Sequence, residues 1–132
     1  MAPLLLTHTD LDGIGCAVIY RAAVPGARPA ELVENGQVDE RVRRALASER
    51  ELLVTDHGVS EATAAMVDEF VAGGGSFTLL DHHRSALHLA ARAWATVDES
   101  RSAAGLLFEH LGRPPRLAEF AGLVEDLSLI HI

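Results

Sequence analysis

Three short stretches of this chain gather the residue types that bind cations or phosphate. "THTDLDG" holds His8, Asp10 and Asp12, "LLVTDHG" holds Asp56 and His57, and "LLDHHRS" sets Asp81, His82, His83 and Arg84 directly after apolar residues. Carboxylates and imidazoles are donors for hard or borderline divalent cations, and an arginine beside them suits a phosphate. Each stretch also has a plainer reading. Asp-x-Asp-Gly is more often an ordinary turn than a pair of ligands, and Thr-Asp-His-Gly is as easily a strand followed by a turn. Asp81-His82-His83 resists that explanation. Three consecutive ligand-type side chains after a buried strand cost stability unless something pairs them, and ligand duty supplies the pairing. His88 and His110 lie in helical stretches without ligand-type neighbours and read as surface or partly packed residues.

The spacing of apolar residues predicts the elements that must position these groups. Runs rich in β-branched and aliphatic residues occur at "PLLLTH", "AELVE", "ELLVT", "SFTLL" and "WATV". Between the early runs lie stretches of helical periodicity, "GIGCAVIYRAA", "VDERVRRALA" and "SEATAAMVDEFVA". This β-α alternation predicts an α/β fold, a parallel sheet of about five strands with helices on both faces, whose ligands bind at the carboxyl ends of the strands. Four of the runs lead into acids there: Asp10 and Asp12, Asp56, Asp81, and Asp98. In such a sheet those ends share one edge, so residues far apart in sequence can meet. "GGG" at 73–75 reads as a helix stop and turn rather than a phosphate cradle.

Composition excludes several partners and mechanisms. The 132 residues, 48% of them hydrophobic, suit one domain with a sizeable core. "MAPLLLTH" is too short and too poor in basic residues for a signal peptide or membrane span and reads as the first strand. Cys16 has no disulfide partner, which agrees with a reducing, cytoplasmic setting, and its neighbourhood "GIGCAVIY" marks it as a small packed residue. All eleven basic residues are arginines, so a P-loop lysine or Schiff-base lysine is excluded. A net charge of -8 repels a long phosphate backbone, and 5% aromatic residues are too few for an extended base-stacking platform. Long duplex nucleic acid is therefore not an expected partner.

In order and spacing, "THTDLDG", "LLVTDHG" and "LLDHHRS" resemble the first three motifs of the DHH phosphoesterase superfamily. Its members include RecJ-type exonucleases, nano-RNases, cyclic-dinucleotide phosphodiesterases and family II inorganic pyrophosphatases. The resemblance runs over residues 4 to 126, because "ATVDESRSAAGLLFEHLG" resembles the helical region after the third motif and "AGLVED" the start of the fourth. It implies a parallel α/β domain holding two manganese ions at the strand ends. His8, Asp10 and Asp12 match the first-motif ligands, Asp56 the carboxylate that bridges both metals, His82 the third-motif ligand and Asp126 the fourth-motif ligand. His83 and Arg84 match positions that face the scissile phosphate, and Asp81 one that orients a histidine. His57 matches no family role.

These donors are hard oxygens and imidazoles without thiolate, which favours manganese, with magnesium and cobalt as the other candidates, over a structural zinc. The expected function is a manganese-dependent phosphodiesterase acting on short oligonucleotides or cyclic dinucleotides. A phosphoanhydride hydrolase, either pyrophosphatase or exopolyphosphatase, is the alternative, and a non-catalytic binding module of the same fold is a third. A haloacid-dehalogenase phosphatase, which "DLDG" imitates, is disfavoured by the lack of lysine and by Ile14. Expected partners are a small phosphate ester or short single-stranded oligonucleotide, no membrane, and a second copy in a homodimer. After "VED" the resemblance stops, and "LSLIHI" resembles read-through of sequencing-adaptor DNA. The expectation is therefore a domain over 1–126, a non-native tail over 127–132 in which His131 is no ligand, a missing second domain, weak activity, and a frayed segment around Asp126.

Overall fold

The computed structural model describes residues 2–130 and contains five strands and five α-helices. The strands are β1 (Leu4–Thr7), β2 (Glu31–Leu32), β3 (Glu51–Thr55), β4 (Ser76–Asp81) and β5 (Ala95–Val97). The helices are α1 (Leu11–Ala23), α2 (Val38–Ser48), α3 (Glu61–Ala72), α4 (Ala103–His110) and α5 (Ala118–Ile130). All five predicted apolar runs form strands. They pair in parallel in the order β2-β1-β3-β4-β5.

Each interior strand is apolar on both faces because helices cover both. Leu4 and Leu6 of β1, Leu52 and Val54 of β3 and Leu79 of β4 pack with Val42, Ala45, Ala64 and Val67 of α2 and α3. Leu5, Leu53 and Leu80 point the other way, onto Cys16 and Ile19 of α1, Leu107 of α4 and Val124 of α5. Burying one such leucine contributes about 1.5–3 kcal/mol, so the two layers fix the register of the sheet. Cys16 is fully buried in the second layer, and burial pushes its thiol well above the usual range, as a packed residue requires.

The chain leaves β1 toward β2 on one side and returns through α2 to β3 on the other. The strand order therefore reverses between β1 and β3, the crevice where open α/β sheets bind ligands. Local signals set the helix ends. Ser60 and Ser102 cap α3 and α4 by accepting the amides of Thr63 and Gly105. Gly74, at φ +101°, makes the turn after α3 that the glycine run predicts. No helix among the described residues is long and apolar enough to cross a membrane.

One expectation for the end of the chain is not met. Asp126 does not lie in a frayed segment: α5 continues helically through residues 127–130. Glu125 locks this helix to α4 by accepting the amide (2.9 Å) and hydroxyl (3.0 Å) of Ser102, and it pairs with Arg101 at 3.1 Å. His131 lies outside the described residues.

Candidate metal centre

Backbone geometry at the ends of β1 and β3 delivers the first carboxylates. Asp10 caps α1 by accepting the Gly13 amide at 2.8 Å. Only glycine fits at 13, since a Cβ there would stand 2.0 Å from the His8 carbonyl oxygen. Thr7 and Thr55, the last residues of β1 and β3, are joined by a 2.8 Å hydrogen bond between hydroxyls, which pins the two strand ends together. Asp56 follows in the left-handed region at φ +60°, a conformation that costs energy for a residue other than glycine and that collects at functional sites.

Around this crevice His82 Nε2 lies 3.0 Å from Asp56 Oδ1 and 3.2 Å from Asp12 Oδ2. His8 Nδ1 lies 3.0 Å from Asp10 Oδ2 and 3.7 Å from Asp56 Oδ2. Two groups of potential ligands result, His8–Asp10–Asp56 and Asp56–Asp81–His82–His83, and they share Asp56. Among the described residues, four buried side-chain polar atoms lack a hydrogen-bond partner: His8 Nδ1, Asp56 Oδ2, Asp81 Oδ2 and Ser128 Oγ. All four belong to these groups or to the cleft beside them. Buried polar atoms are nearly always paired, so orphans gathered at one place fit a cation that would complete them.

The electrostatics carry the same signature. Asp56 is pushed up to about 8, first by burial and then by Asp10 and Asp12, despite the opposing contact with His82. Burial also raises Asp10, but its neighbours Asp56, the Gly13 amide and His8 outweigh it and hold the group at about 2. His82 is raised to about 10, by Asp12 and then Asp56, with burial opposing. The proton on Asp56 and the charge on His82 neutralise crowded carboxylates, a task that a divalent cation performs by displacing protons.

His83 stands at the mouth, half-exposed, with Nδ1 2.8 Å from Oδ1 of the fully buried Asp81. That hydrogen bond raises its pKa. Arg84 is exposed, its guanidinium 3.7 Å from Glu99. An open cleft of about 460 Å³ is lined by Asp10, Asp12, His82, His83, Arg84 and, on its apolar side, Leu11.

Several residues behave otherwise than expected. Asp126, expected as the fourth-motif ligand, is exposed and belongs to neither group. The reason is helical phase: α5 buries Ala121 and Val124, Ser128 falls one turn after Val124 on the same face, and Asp126 turns outward. Ser128, not Asp126, lines the cleft. Asp98 does not converge with the other acids either, because its Oδ1 accepts the amide and hydroxyl of Ser100 in an exposed turn. Asp12, expected as a first-motif ligand, also belongs to neither group, and it has a task that spacing could not reveal. Its two oxygens accept the Ala103 and Ala104 amides, each at 2.9 Å, and so seat the N-terminus of α4. Glu99 and Ser128 line the cleft without having been singled out. His57 is buried, with Nε2 2.7 Å from the Val33 carbonyl oxygen and its ring edge-on to His8 at 5.0 Å. His88 pairs with Glu61 at the surface, as a histidine without ligand neighbours should.

A parallel sheet with acids and histidines at its reversal point agrees with the DHH resemblance, and on its similarity to a curated relative this chain belongs to that superfamily. It is 35% identical to the oligoribonuclease NrnB of Bacillus subtilis (strain 168) over a 121-residue alignment, which covers 81% of this chain. The chain spans 30% of the length of that curated relative. Its fold matches the crystal structure of an uncharacterized protein from Helicobacter pylori G27 with a TM-score of 0.81. That match has 22% identity and covers 99% of this chain and 44% of the other. No family model matches the chain.

Proposed function

We propose that this domain is the metal-binding part of a manganese-dependent phosphodiesterase that hydrolyses short oligonucleotides. The observation that carries the proposal is the gathering of orphaned buried polar atoms around carboxylates at the β1–β3 reversal point. The oligoribonuclease relative supports the substrate class. The acidic balance of the chain favours a short substrate over a long phosphate backbone.

His8 and Asp10 would hold one cation, His82 and Asp12 the other, with Asp56 serving both. Cations held there would supply charge for binding a phosphate and would acidify water near neutral pH. The remaining chemistry belongs to the side chains at the mouth. Asp81 holds His83 through Nδ1 and favours the imidazolium, which leaves the Nε2 proton to donate to a phosphoryl oxygen. Arg84, free of a close partner, adds charge-assisted hydrogen bonds to the same phosphate.

Assay of the protein with manganese, against a labelled diribonucleotide and pyrophosphate in parallel, tests the reading. Release of mononucleotides is expected. Hydrolysis of pyrophosphate beside an untouched dinucleotide would transfer the site to phosphoanhydride chemistry.

A further inference from the structure

A second cavity, of about 400 Å³, opens on the other side of His83. Its walls come from three places: the start of α2 (Asn35, Val38, Asp39), the loop from β3 to α3 (His57 to Ser60) and the turn after the third motif (Ser85, His88). His83 alone lines both this cavity and the carboxylate cleft. A phosphate held at His83 therefore has one neighbouring space on each side.

The two spaces differ in chemistry. The cleft carries acids, two histidines and Arg84, a setting for cations and phosphate. The second cavity has no arginine. Its single acid, Asp39, already accepts the Ser60 amide at 2.8 Å. What remains is the Asn35 amide, the Ser85 hydroxyl and the ring nitrogens that His57 and His88 keep beyond their bonds to Val33 and Glu61, beside the buried side chains of Val38 and Val59. A second phosphate would meet Asp39 with no cationic guanidinium to offset it. A sugar bearing hydroxyls, with a flat base against the valines, meets a donor or acceptor at each polar edge and apolar contact elsewhere. The volume lies low in the range of about 300–1,000 Å³ for small-molecule sites, which suits one nucleoside and not two.

We infer that this cavity is the subsite for the nucleoside on one side of the scissile phosphate, with His83 at the boundary between phosphate and nucleoside. The inference rests on the phosphodiesterase reading for its place in a reaction, while the binding itself does not require turnover. His57 then has a role: its bond to the Val33 carbonyl ties the β3–α3 wall to the end of β2 and keeps the cavity open.

The test compares two phosphodiesters on the manganese-loaded protein: a diribonucleotide, and bis(p-nitrophenyl) phosphate, which presents the ester without a nucleoside. Asn35→Ala and His88→Ala lie outside the carboxylate cleft. Each is expected to raise KM for the dinucleotide about two- to tenfold, the worth of one lost hydrogen bond. In both variants kcat and the hydrolysis of bis(p-nitrophenyl) phosphate should be unchanged. Equal losses on both substrates, or no loss on either, overturn the subsite. Methyl NMR separates that failure from failure of the hydrolase reading. Adenosine should shift the Val38 and Val59 methyls in the parent and not in Ser85→Trp, which fills the cavity. Such shifts sustain the subsite even if neither ester is hydrolysed. Shifts confined to Leu11, or shifts identical in Ser85→Trp, overturn it even if the dinucleotide is.

Discussion

Replacing Asp56 by asparagine should make the metal-free domain more stable while removing its response to metal. In the folded domain the Asp56 carboxyl is raised from 3.8 to about 8, first by burial. A group shifted this way contributes stability below the unfolded pKa and forfeits it as pH rises toward the folded value. At pH 7 the unfolded chain has released a proton that the folded chain still holds. Roughly 3 pH units at about 1.36 kcal/mol each set an upper limit of about 4 kcal/mol on the cost. Part of it is returned in the variant, because His82 loses one of its two carboxylate partners. Asparagine tolerates the left-handed backbone of position 56 and keeps an oxygen for His82. The net expectation is a gain of about 1–2 kcal/mol, or roughly 3–8 °C in Tm for a domain of this size. Manganese, which should stabilise the parent in proportion to its occupancy, should leave the variant's Tm nearly unmoved. Differential scanning calorimetry at pH 7, with chelator and with manganese, measures both. A variant less stable than the parent in chelator would refute the argument that crowded carboxylates are the cost of the site, as would an undiminished manganese shift.

Other expectations follow from the same geometry. His83→Ala should lower turnover by at least about tenfold and manganese affinity far less, read from kcat beside a calorimetric titration. Ser128→Asp places a carboxylate where an orphaned hydroxyl now lines the cleft and should tighten manganese binding by about tenfold or more, measured by the same titration. Gly13→Ala must push a methyl into the His8 carbonyl and should cost about 3 kcal/mol or more, seen in the urea midpoint. Without divalent cations, stability should fall as pH rises. Asp56 forfeits its share between 3.8 and about 8, and the share of His82, full below 6.5, is lost toward about 10. Urea midpoints at pH 5, 7 and 9 should descend in that order.

Much of the fold was legible because parallel strands buried on both faces are continuous apolar runs, and each of the five runs became a strand. The carboxyl edge was legible for a related reason. In a parallel sheet topology alone assigns every strand end to one side, and Asp10, Asp56 and His82 meet there. What the sequence hid depends on helical phase and on backbone contacts between distant segments. One position separates an inward from an outward residue by 100° on a helix, so "VED" could not tell that Asp126 faces away and Ser128 inward. Asp12 reads as a ligand from its type alone, while its bonds to the Ala103 and Ala104 amides depend on how α4 docks. Asp98 shows the opposite error. A strand end supplied an acid, but Ser100 two residues later offers it a local turn, and the local bond wins.

The central claim is that two divalent cations share Asp56. Anomalous diffraction at the manganese edge from crystals grown with manganese measures this directly. Two peaks per chain are expected, about 3.5–4 Å apart, with an Asp56 oxygen facing each and His8 and His82 on opposite sides. A single peak, or a pair that leaves Asp56 without contact, would contradict the account.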